Sequence, residues 1–430
     1  MAIFPYEPPQ SGFDTDARHA RFALSAFLGV LSVYGLTASG FDLGTIARGM
    51  WAIIISPDIL INDYASIAGL GPAFVNAALC VFVALSLLRL SRVSISGPAI
   101  AAIFTIAGFS LFGKNIANIL PGMLGAYLYS LASRRPFSEN IIVALFGTAL
   151  APLSSEVAFG MGLAVPWSLF AALGAGVVAG FILSPIARHV LDFHRGYNLY
   201  NTGFAAGFIG TMTMSTLKAL GVTLSGGFHW AELGPVGTLP WLSVFFAALM
   251  IVGMKLDPGW FRSYKRLLTS PGRLVSDFVR YYGLGATFVN MGIMGFMASA
   301  VMLMIGASWN GPMIGGLLTI VGFSAFGKHP RNTLPPMLGA ATMALMSTYG
   351  LGTPGSQLAV LFASTLAPIA GEYGTIAGFI VGMLHLVLVQ VVGGLHGGLN
   401  LYNNGFAGGL AAGLFLPVLE WIREWRRHEV

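Results

Sequence analysis

Apolar runs close to 20 residues long follow one another almost end to end along this chain of 430 residues. A helix needs about 20 apolar residues to cross a hydrocarbon core roughly 30 Å thick. The runs are continuous rather than alternating, which favours helices over a β-barrel, because a helix satisfies its own backbone polar groups in lipid. The sequence therefore predicts an all-α polytopic membrane protein.

The composition supports this prediction and excludes other classes. Only 9% of the residues are charged and 56% are hydrophobic, whereas soluble domains carry about 25% charged residues. The net charge of +6 is modest and its lysines and arginines cluster at the ends of the apolar runs, so nothing favours a nucleic-acid partner. The polar, proline-rich N-terminus does not resemble a cleaved signal peptide.

The chain repeats itself with its landmarks in the same order. "FGKNIANILPGMLG" begins at Phe112 and "FGKHPRNTLPPMLG" begins at Phe326, 214 residues later. "HRGYNLYNTGFAAG" from His194 and "HGGLNLYNNGFAGG" from His396 share ten of fourteen positions. Because Lys, Asn, His and Pro are uncommon in membrane segments, these matches indicate a duplication rather than shared low complexity.

Each copy of the duplicated unit predicts seven apolar segments, some of them short. In the first copy the segments lie near residues 20–40, 72–90, 97–112, 117–133, 139–152, 163–187 and 199–219. In the second copy they lie near residues 239–256, 286–306, 311–326, 333–349, 356–370, 374–395 and 403–419. The predicted organisation is a cytoplasmic tail (1–19), a first membrane repeat (20–220), an extracytoplasmic linker (221–238), a second membrane repeat (239–419) and a cytoplasmic tail (420–430).

The loop charges indicate that the two repeats are inverted. An odd number of crossings turns the second unit upside down, and lysine and arginine mark the cytoplasmic side. Arg134 and Arg135 have an uncharged counterpart in the second repeat, whereas the basic loop 255–280 has an acidic counterpart in the first. We therefore expect inverted repeats in a bacterial cytoplasmic membrane, with both termini cytoplasmic. For 43–66 and 257–282, an interfacial helix, a re-entrant piece and a long loop all remain open.

The polar residues that follow the short third segments are candidates for a functional site. A helix of about 16 residues reaches roughly 24 Å, which is less than the hydrocarbon core. Irregular backbone at membrane depth is tolerated where it lines a cavity, as in inverted-repeat transporters. Lys114 and Asn118, with Lys328 and Asn332 at the equivalent positions, are therefore candidate solute-binding residues. Each lysine could counter an anionic solute, pair with a glutamate or snorkel to the headgroups.

Glu156 and Glu372 follow an "AP" break in equivalent places. An ionisable residue at membrane depth is expensive and predicts a function, here the binding of a coupling proton or sodium ion. The structural alternatives are a buried ion pair with Lys114 or Lys328 and a cap on the next helix.

The third repeated element places amides and a histidine at a glycine-rich helix start. Asn201 and Asn403 offer donors and acceptors where backbone N–H groups are free, although they could equally only cap the helix. His194 and His396 are histidines that could titrate near neutrality. A single histidine per repeat, without a second ligand at helical spacing, implies no metal site. We expect no cofactor beyond a coupling H⁺ or Na⁺.

The duplicated motifs "FGKxxxNxLPxMLG" and "NLYNxGFAxG", together with the length of the chain, resemble a bacterial family of multipass membrane proteins of unassigned function. "YNTGFAAG" and "YNNGFAGG" are also similar to the helix starts of urea-type channels, which are inverted duplications. Seven plus seven crossings resemble nucleobase and anion transporters by architecture. These resemblances imply a fold and bring no substrate or site residues.

The functional expectation is a secondary transporter of a small polar or anionic solute, coupled to an ion through the glutamates. The alternative is a passive channel for a small neutral solute, in which the asparagines would line the pore. An intramembrane enzyme is less favoured, because catalysis usually needs an asymmetric constellation and nearly every polar feature here occurs twice. The expected partners are the lipid bilayer and the solute, and a homo-oligomer is left open.

Overall fold

The computed structural model describes residues 10–224 and 226–428, which form helices joined by short irregular segments. Within these residues, eight helical stretches are long and apolar enough to cross a membrane, and several shorter apolar helices accompany them. The protein is therefore an all-α polytopic membrane protein, as predicted.

The helices of the two repeats follow the predicted segments closely. The first repeat contains α1 (Gln10–Ala38), α2 (Leu43–Ile55), α3 (Tyr64–Ala68), α4 (Leu70–Leu90), α5 (Gly97–Phe109), α6 (Ile119–Ala132), α7 (Ile141–Gly147), α8 (Ala151–Ser155), α9 (Trp167–His194) and α10 (Asn201–Ala219). The second contains α11 (Leu239–Leu256), α12 (Trp260–Leu267), α13 (Phe278–Met304), α14 (Gly311–Phe323), α15 (Pro330–Met346), α16 (Pro354–Phe362), α17 (Ala367–Tyr373), α18 (Thr375–His396) and α19 (Asn403–His428).

The equivalent short helices α5 and α14 cross at their glycines in the centre of the molecule. A Cβ atom on Gly108 would lie 2.4 Å from the Gly315 carbonyl oxygen, and one on Gly315 would lie 2.5 Å from the Gly108 carbonyl oxygen. A Cβ on Gly97, where α5 begins, would meet the carbonyl of Ala325, just past the end of α14. The two helices are therefore antiparallel, as inverted repeats require.

Each of these short helices begins at a carboxylate from the opposite repeat. The Gly97 N–H donates to Asp277 Oδ1 at 3.0 Å, and the Gly311 N–H donates to Asp63 Oδ1 at 3.1 Å. A carboxylate is stabilising at a helix N-terminus, where backbone N–H groups lack partners. Since Asp63 and Asp277 are 214 residues apart, this reciprocal capping joins the two repeats by the same contact made twice.

Several predicted boundaries differ from the structure. Helix α1 begins at Gln10, so the second half of the predicted N-terminal tail is helical, while residues 1–9 lie outside the described part of the chain. Helix α19 runs on to His428, past the predicted end of the second repeat at residue 419. The arginines in the last turns of α19 lower the hydropathy of the sequence there, so the predicted segment ends too early.

The interrupted segments also differ in detail. The fifth segment of the first repeat was predicted to end at residue 152, but helical turns of changing pitch carry it on to Gly160, giving a 20-residue apolar stretch. Helix α13 begins eight residues before the predicted segment and bends at Gly283, whose φ is 81°. The two open stretches, 43–66 and 257–282, hold the short helices α2 and α12 followed by irregular backbone.

Candidate functional site

The two repeated lysines lie inside the protein, next to the ends of the short helices. Lys114 and Lys328 are both fully buried, so neither side chain snorkels to the surface. Two asparagines hold the backbone around them: Asn76 Nδ2 donates to the Lys114 carbonyl oxygen and Asn290 Nδ2 to that of Lys328, each at 2.8 Å. The irregular turn after each short helix is therefore fixed by an amide from a neighbouring helix.

The Nζ atom of each lysine donates a hydrogen bond to a tyrosine of the other repeat. Lys114 Nζ bonds the Tyr402 hydroxyl and lies 4.5 Å from the centre of that ring. Lys328 Nζ bonds the Tyr200 hydroxyl, lies 4.4 Å from that ring centre, and also donates to Ser364 Oγ at 2.8 Å. Within the described residues no carboxylate forms an ion pair with either lysine. The aromatic faces and hydroxyls therefore supply their main polar contacts.

Two cavities related by the repeat symmetry lie at the seam between the repeats. One, the Leu274 cavity, has a volume of about 170 Å³, and the other, the Leu60 cavity, has a volume of about 280 Å³. The linings of the Leu274 cavity include Leu274, Val275, Phe323, Ile142, Asn201 and Thr202. The linings of the Leu60 cavity include the residues at the equivalent repeat positions, namely Leu60, Ile61, Phe109, Leu358, Asn403 and Asn404.

An aromatic barrier separates the two cavities. It comprises three pairs of equivalent residues: Phe109 and Phe323, Phe146 and Phe362, and Tyr200 and Tyr402. The ring centres of Phe109 and Tyr402 are 4.6 Å apart, and those of Phe323 and Tyr200 are 4.7 Å apart. Phe109 and Phe362 line both cavities. The tyrosines that receive the lysine hydrogen bonds are therefore part of the wall between the cavities.

The predicted asparagine–histidine pairs are formed in both repeats. His194 Nε2 lies 2.9 Å from Asn201 Oδ1, and His396 Nε2 lies 2.9 Å from Asn403 Oδ1. Asn201 Nδ2 also donates to the Ala187 carbonyl oxygen at 2.7 Å, which ties the start of α10 to α9. Both histidines are buried. Each asparagine thus positions a helix start and also borders one cavity.

A separate buried polar cluster surrounds Asp58, on the loop between α2 and α3. Asp58 is fully buried and accepts five side-chain hydrogen bonds. Oδ1 accepts from Asn62 Nδ2 at 2.6 Å. Oδ2 accepts from the Tyr64 hydroxyl at 2.9 Å, Asn118 Nδ2 at 3.0 Å, Ser155 Oγ at 3.0 Å and Asn115 Nδ2 at 3.2 Å. We call Asp58 and these five residues the Asp58 cluster.

The repeated glutamates and asparagines have different surroundings in the two repeats. Glu156 is fully buried and directly follows Ser155, a member of the Asp58 cluster. Glu372 lies near the end of α17, where Arg423 Nη1 donates to its Oε1 at 3.2 Å in an exposed ion pair. Asn118 belongs to the Asp58 cluster, whereas Asn332 Nδ2 donates to the Gly327 carbonyl oxygen at 2.9 Å. The structure therefore brings Glu156 and Asn118 together and places Glu372 apart.

Comparison with known proteins assigns the chain to a family. The model of the DUF1576 family, described as a protein of unknown function, matches residues 43–219 and 257–421. The chain belongs to the DUF1576 family. Each matched stretch covers most of one repeat. No curated protein and no solved structure matches the chain.

In this DUF1576 chain, sequence reasoning missed Asp58 and the two tyrosines. Tyr200 and Tyr402 lie inside the "NLYN" motif, but attention fell on its asparagines. Asp58 belongs to "SPDILINDY", whose counterpart "SPGRLVSDF" keeps the serine, the proline and the second aspartate and replaces Asp58 by Gly272. Duplication selects residues that occur in both repeats, and Asp58 occurs in one only.

Proposed function

We propose that this protein is a secondary transporter of a small polar or anionic solute. The observation that carries the proposal is the pair of cavities with equivalent linings on opposite sides of the aromatic barrier. Inverted-repeat transporters bind their solutes at the seam between repeats and expose that site to one side at a time. Two cavities related by the repeat symmetry are what such a protein needs for its two access states.

The buried lysines favour a solute that is anionic or rich in hydrogen-bond acceptors. Lys114 and Lys328 place two Nζ donors, which an approaching anion would keep protonated, behind the tyrosine hydroxyls of the barrier. A buried charge is costly unless it is compensated, and a passing anion or carbonyl group would compensate it. Both cavities are smaller than the roughly 300–1,000 Å³ of typical drug-sized ligand sites, which favours a solute of a few heavy atoms.

The charges of the loops support one orientation of the protein in the membrane. We place the protein in a bacterial cytoplasmic membrane with both termini in the cytoplasm, because the arginine-rich loops then share that side. The Leu274 cavity would open towards the cytoplasm, since Leu274 follows the basic loop after α12. The Leu60 cavity would open towards the opposite side.

Thiol labelling tests the two-cavity path without knowledge of the solute. The single cysteine, Cys80, is buried and can be replaced by alanine. In that background, a Leu274→Cys variant should react with a membrane-impermeant maleimide added from the cytoplasmic side only. A Leu60→Cys variant should react only from the other side. Reaction of both variants from the same side would contradict the proposed path.

Flux measurements on reconstituted vesicles distinguish a transporter from a channel. Formate and acetate serve as small anionic probes, and urea and glycerol serve as neutral ones. We expect saturable accumulation of an anionic probe against its gradient. Rapid equilibration of urea without accumulation would instead assign the passive channel. Vesicles that move none of the four probes faster than protein-free liposomes would oppose both functions.

A further inference from the structure

A histidine–asparagine pair beside the cavities occurs in the second repeat only. His385, on α18, has its Nε2 atom 3.1 Å from Asn404 Oδ1, at the start of α19. The equivalent positions of the first repeat hold Leu183 and Thr202. We propose that Asn404, held by His385, binds the solute between the two cavities and selects a carboxylate. The inference rests on the proposed transport function and names the class of solute for the same path.

Asn404 borders both cavities. The residues that line the Leu274 cavity as well as the Leu60 cavity are Phe109, Phe362, Leu401 and Asn404. Asn404 is the polar member of this set, and its side chain lies in a residue that is only 9% exposed. A solute that moves from one cavity to the other would therefore pass the Asn404 side chain.

The histidine fixes which end of the Asn404 amide faces the cavities. An amide oxygen only accepts hydrogen bonds, so His385 Nε2 carries the proton and donates to Asn404 Oδ1. Because His385 is fully buried, the amide oxygen is directed into the protein. The Nδ2 group of Asn404 remains on the cavity side, and it forms no hydrogen bond with any residue that the structure describes. A buried donor without a partner favours a ligand that accepts from it.

The other asparagines beside the cavities, Asn201 and Asn403, have both ends of their amides engaged. Each amide oxygen is paired with a histidine. Each Nδ2 donates to a backbone carbonyl oxygen of the preceding helix, that of Ala187 for Asn201 and that of Val389 for Asn403. These two amides therefore hold the starts of α10 and α19 in place, whereas the Nδ2 group of Asn404 is left for a solute.

The polar groups at this point favour a carboxylate over a neutral amide. Asn404 is the second residue of α19, and backbone N–H groups in the first turn of a helix lack intrahelical partners and favour an anion. Lys114 Nζ and Lys328 Nζ, behind the barrier, are further donors. A carboxylate brings acceptors only. A neutral amide brings N–H donors of its own, but the amide oxygens of the cavity asparagines are already paired with histidines.

Thermal unfolding in detergent tests the site with acetate and acetamide, which have nearly the same size and shape. A ligand that binds the folded protein raises its unfolding temperature. We expect acetate to stabilise the unmodified protein more than acetamide does. Asn404→Leu should need about tenfold more acetate for the same shift, because a hydrogen bond to a charged group contributes at least that factor to affinity. His189→Leu, at an exposed position on α9, is the control and should respond as the unmodified protein does.

His385 is a positioning residue, so its test includes a conservative replacement. His385→Leu removes the donor that orients the Asn404 amide and should weaken acetate binding as Asn404→Leu does. His385→Gln keeps an N–H donor near the position of Nε2 and should restore binding at least in part. An equal loss in both His385 variants would contradict the orienting role of the histidine.

The unmodified protein decides the question if Asn404→Leu does not fold. Equal stabilisation by acetate and acetamide, or no stabilisation by acetate, would overturn the inference. A folded Asn404→Leu variant that responds to acetate as the unmodified protein does would overturn it as well.

Uptake measurements separate this inference from the proposed function. In vesicles that accumulate acetate, Asn404→Leu should raise the acetate concentration at half-maximal uptake by about tenfold, and His189→Leu should leave it unchanged. The same half-maximal concentration in Asn404→Leu and the unmodified protein would refute the role of Asn404 and leave the transport function standing. Absence of any uptake, with acetate binding lost in Asn404→Leu, would refute transport and leave the binding site standing.

Discussion

The loop 56–63 of the first repeat and the loop 270–277 of the second have the same backbone role and different chemistry. The Leu60 N–H donates to the Gly398 carbonyl oxygen at 3.0 Å, and the Leu274 N–H donates to that of Gly196, also at 3.0 Å. The two loops differ at the equivalent positions 58 and 272. Asp58 accepts five hydrogen bonds, whereas a Cβ on Gly272 would lie 2.0 Å from the Gly327 carbonyl oxygen. The second loop therefore has no room for a side chain where the first has its carboxylate.

This difference separates the residues that form the solute path, which occur in both repeats, from the Asp58 cluster, which occurs in one repeat and can drive transport in one direction. The lysines, the tyrosines, the barrier and the cavity linings occur in both repeats, as alternating access between two equivalent states requires. A coupling ion that entered equally from both repeats would favour neither state. An ionisable cluster in one repeat only can bias the equilibrium, because a ligand shifts a two-state system solely through its different affinity for the two states.

The largest effect should come from removing the carboxylate of the first loop. An Asp58→Ala substitution leaves five buried donors without their acceptor, and an unsatisfied buried donor costs about 1–3 kcal/mol. Because some of these donors have second acceptors, we expect a total loss of about 3–5 kcal/mol in the free energy of unfolding. Thermal unfolding in detergent, followed by tryptophan fluorescence, measures this as a large fall in the unfolding temperature.

Asp42→Ala is the matched control for that measurement. Asp42 lies before α2 and accepts the Gly44 N–H at 2.8 Å and the Thr45 hydroxyl, but it is exposed to solvent. Loss of such a cap should lower the free energy of unfolding far less than loss of Asp58, because water can satisfy the exposed groups that Asp42 caps. Equal destabilisation by the two substitutions would show that burial of the Asp58 cluster adds nothing to its contribution to stability.

The features shared by the two repeats could be predicted from the sequence, and those that distinguish them could not. Apolar runs and loop charges predicted the segments and their inversion, because both depend on the bilayer and not on particular contacts. Lys114 and Lys328 were identified as candidate solute-binding residues by their position after short helices, with snorkelling to the headgroups left open. Their tyrosine partners are 288 and 128 residues away along the chain, and no local pattern encodes which side chain a buried ammonium group meets.

The contacts of the Asp58 cluster could not be predicted from the sequence either, although some of its residues are close together along the chain. Asp58, Asn62 and Tyr64 are close in sequence, yet Asn118 and Ser155 come from two other elements. Their convergence depends on how α6 and α8 pack against the loop. Glu372 shows the reverse: its motif matches that of Glu156, but Arg423 pairs with it because α19 continues past the predicted end of the segment at residue 419.

The two lysines test whether equivalent features of the two repeats contribute equally to transport. Lys114→Met and Lys328→Met each remove one ammonium group and keep most of the side-chain volume. Each should lower the uptake of an anionic probe by about tenfold, because a hydrogen bond to a charged group contributes about 1.5–3 kcal/mol. Lys218→Met, at an exposed position on α10, is the control and should transport normally. A loss in one lysine variant alone would mean that the two cavities do not contribute equally.

The smallest effect should come from Glu372, the repeat equivalent of Glu156. Its exposed ion pair with Arg423 should contribute at most about 0–1 kcal/mol to stability, because water and salt screen such pairs. Glu372→Gln should therefore unfold in detergent at nearly the temperature of the unmodified protein. A clear fall in that temperature would show that this exposed pair of the second repeat matters to stability as the buried cluster of the first repeat does, and the difference between the repeats would not extend to stability.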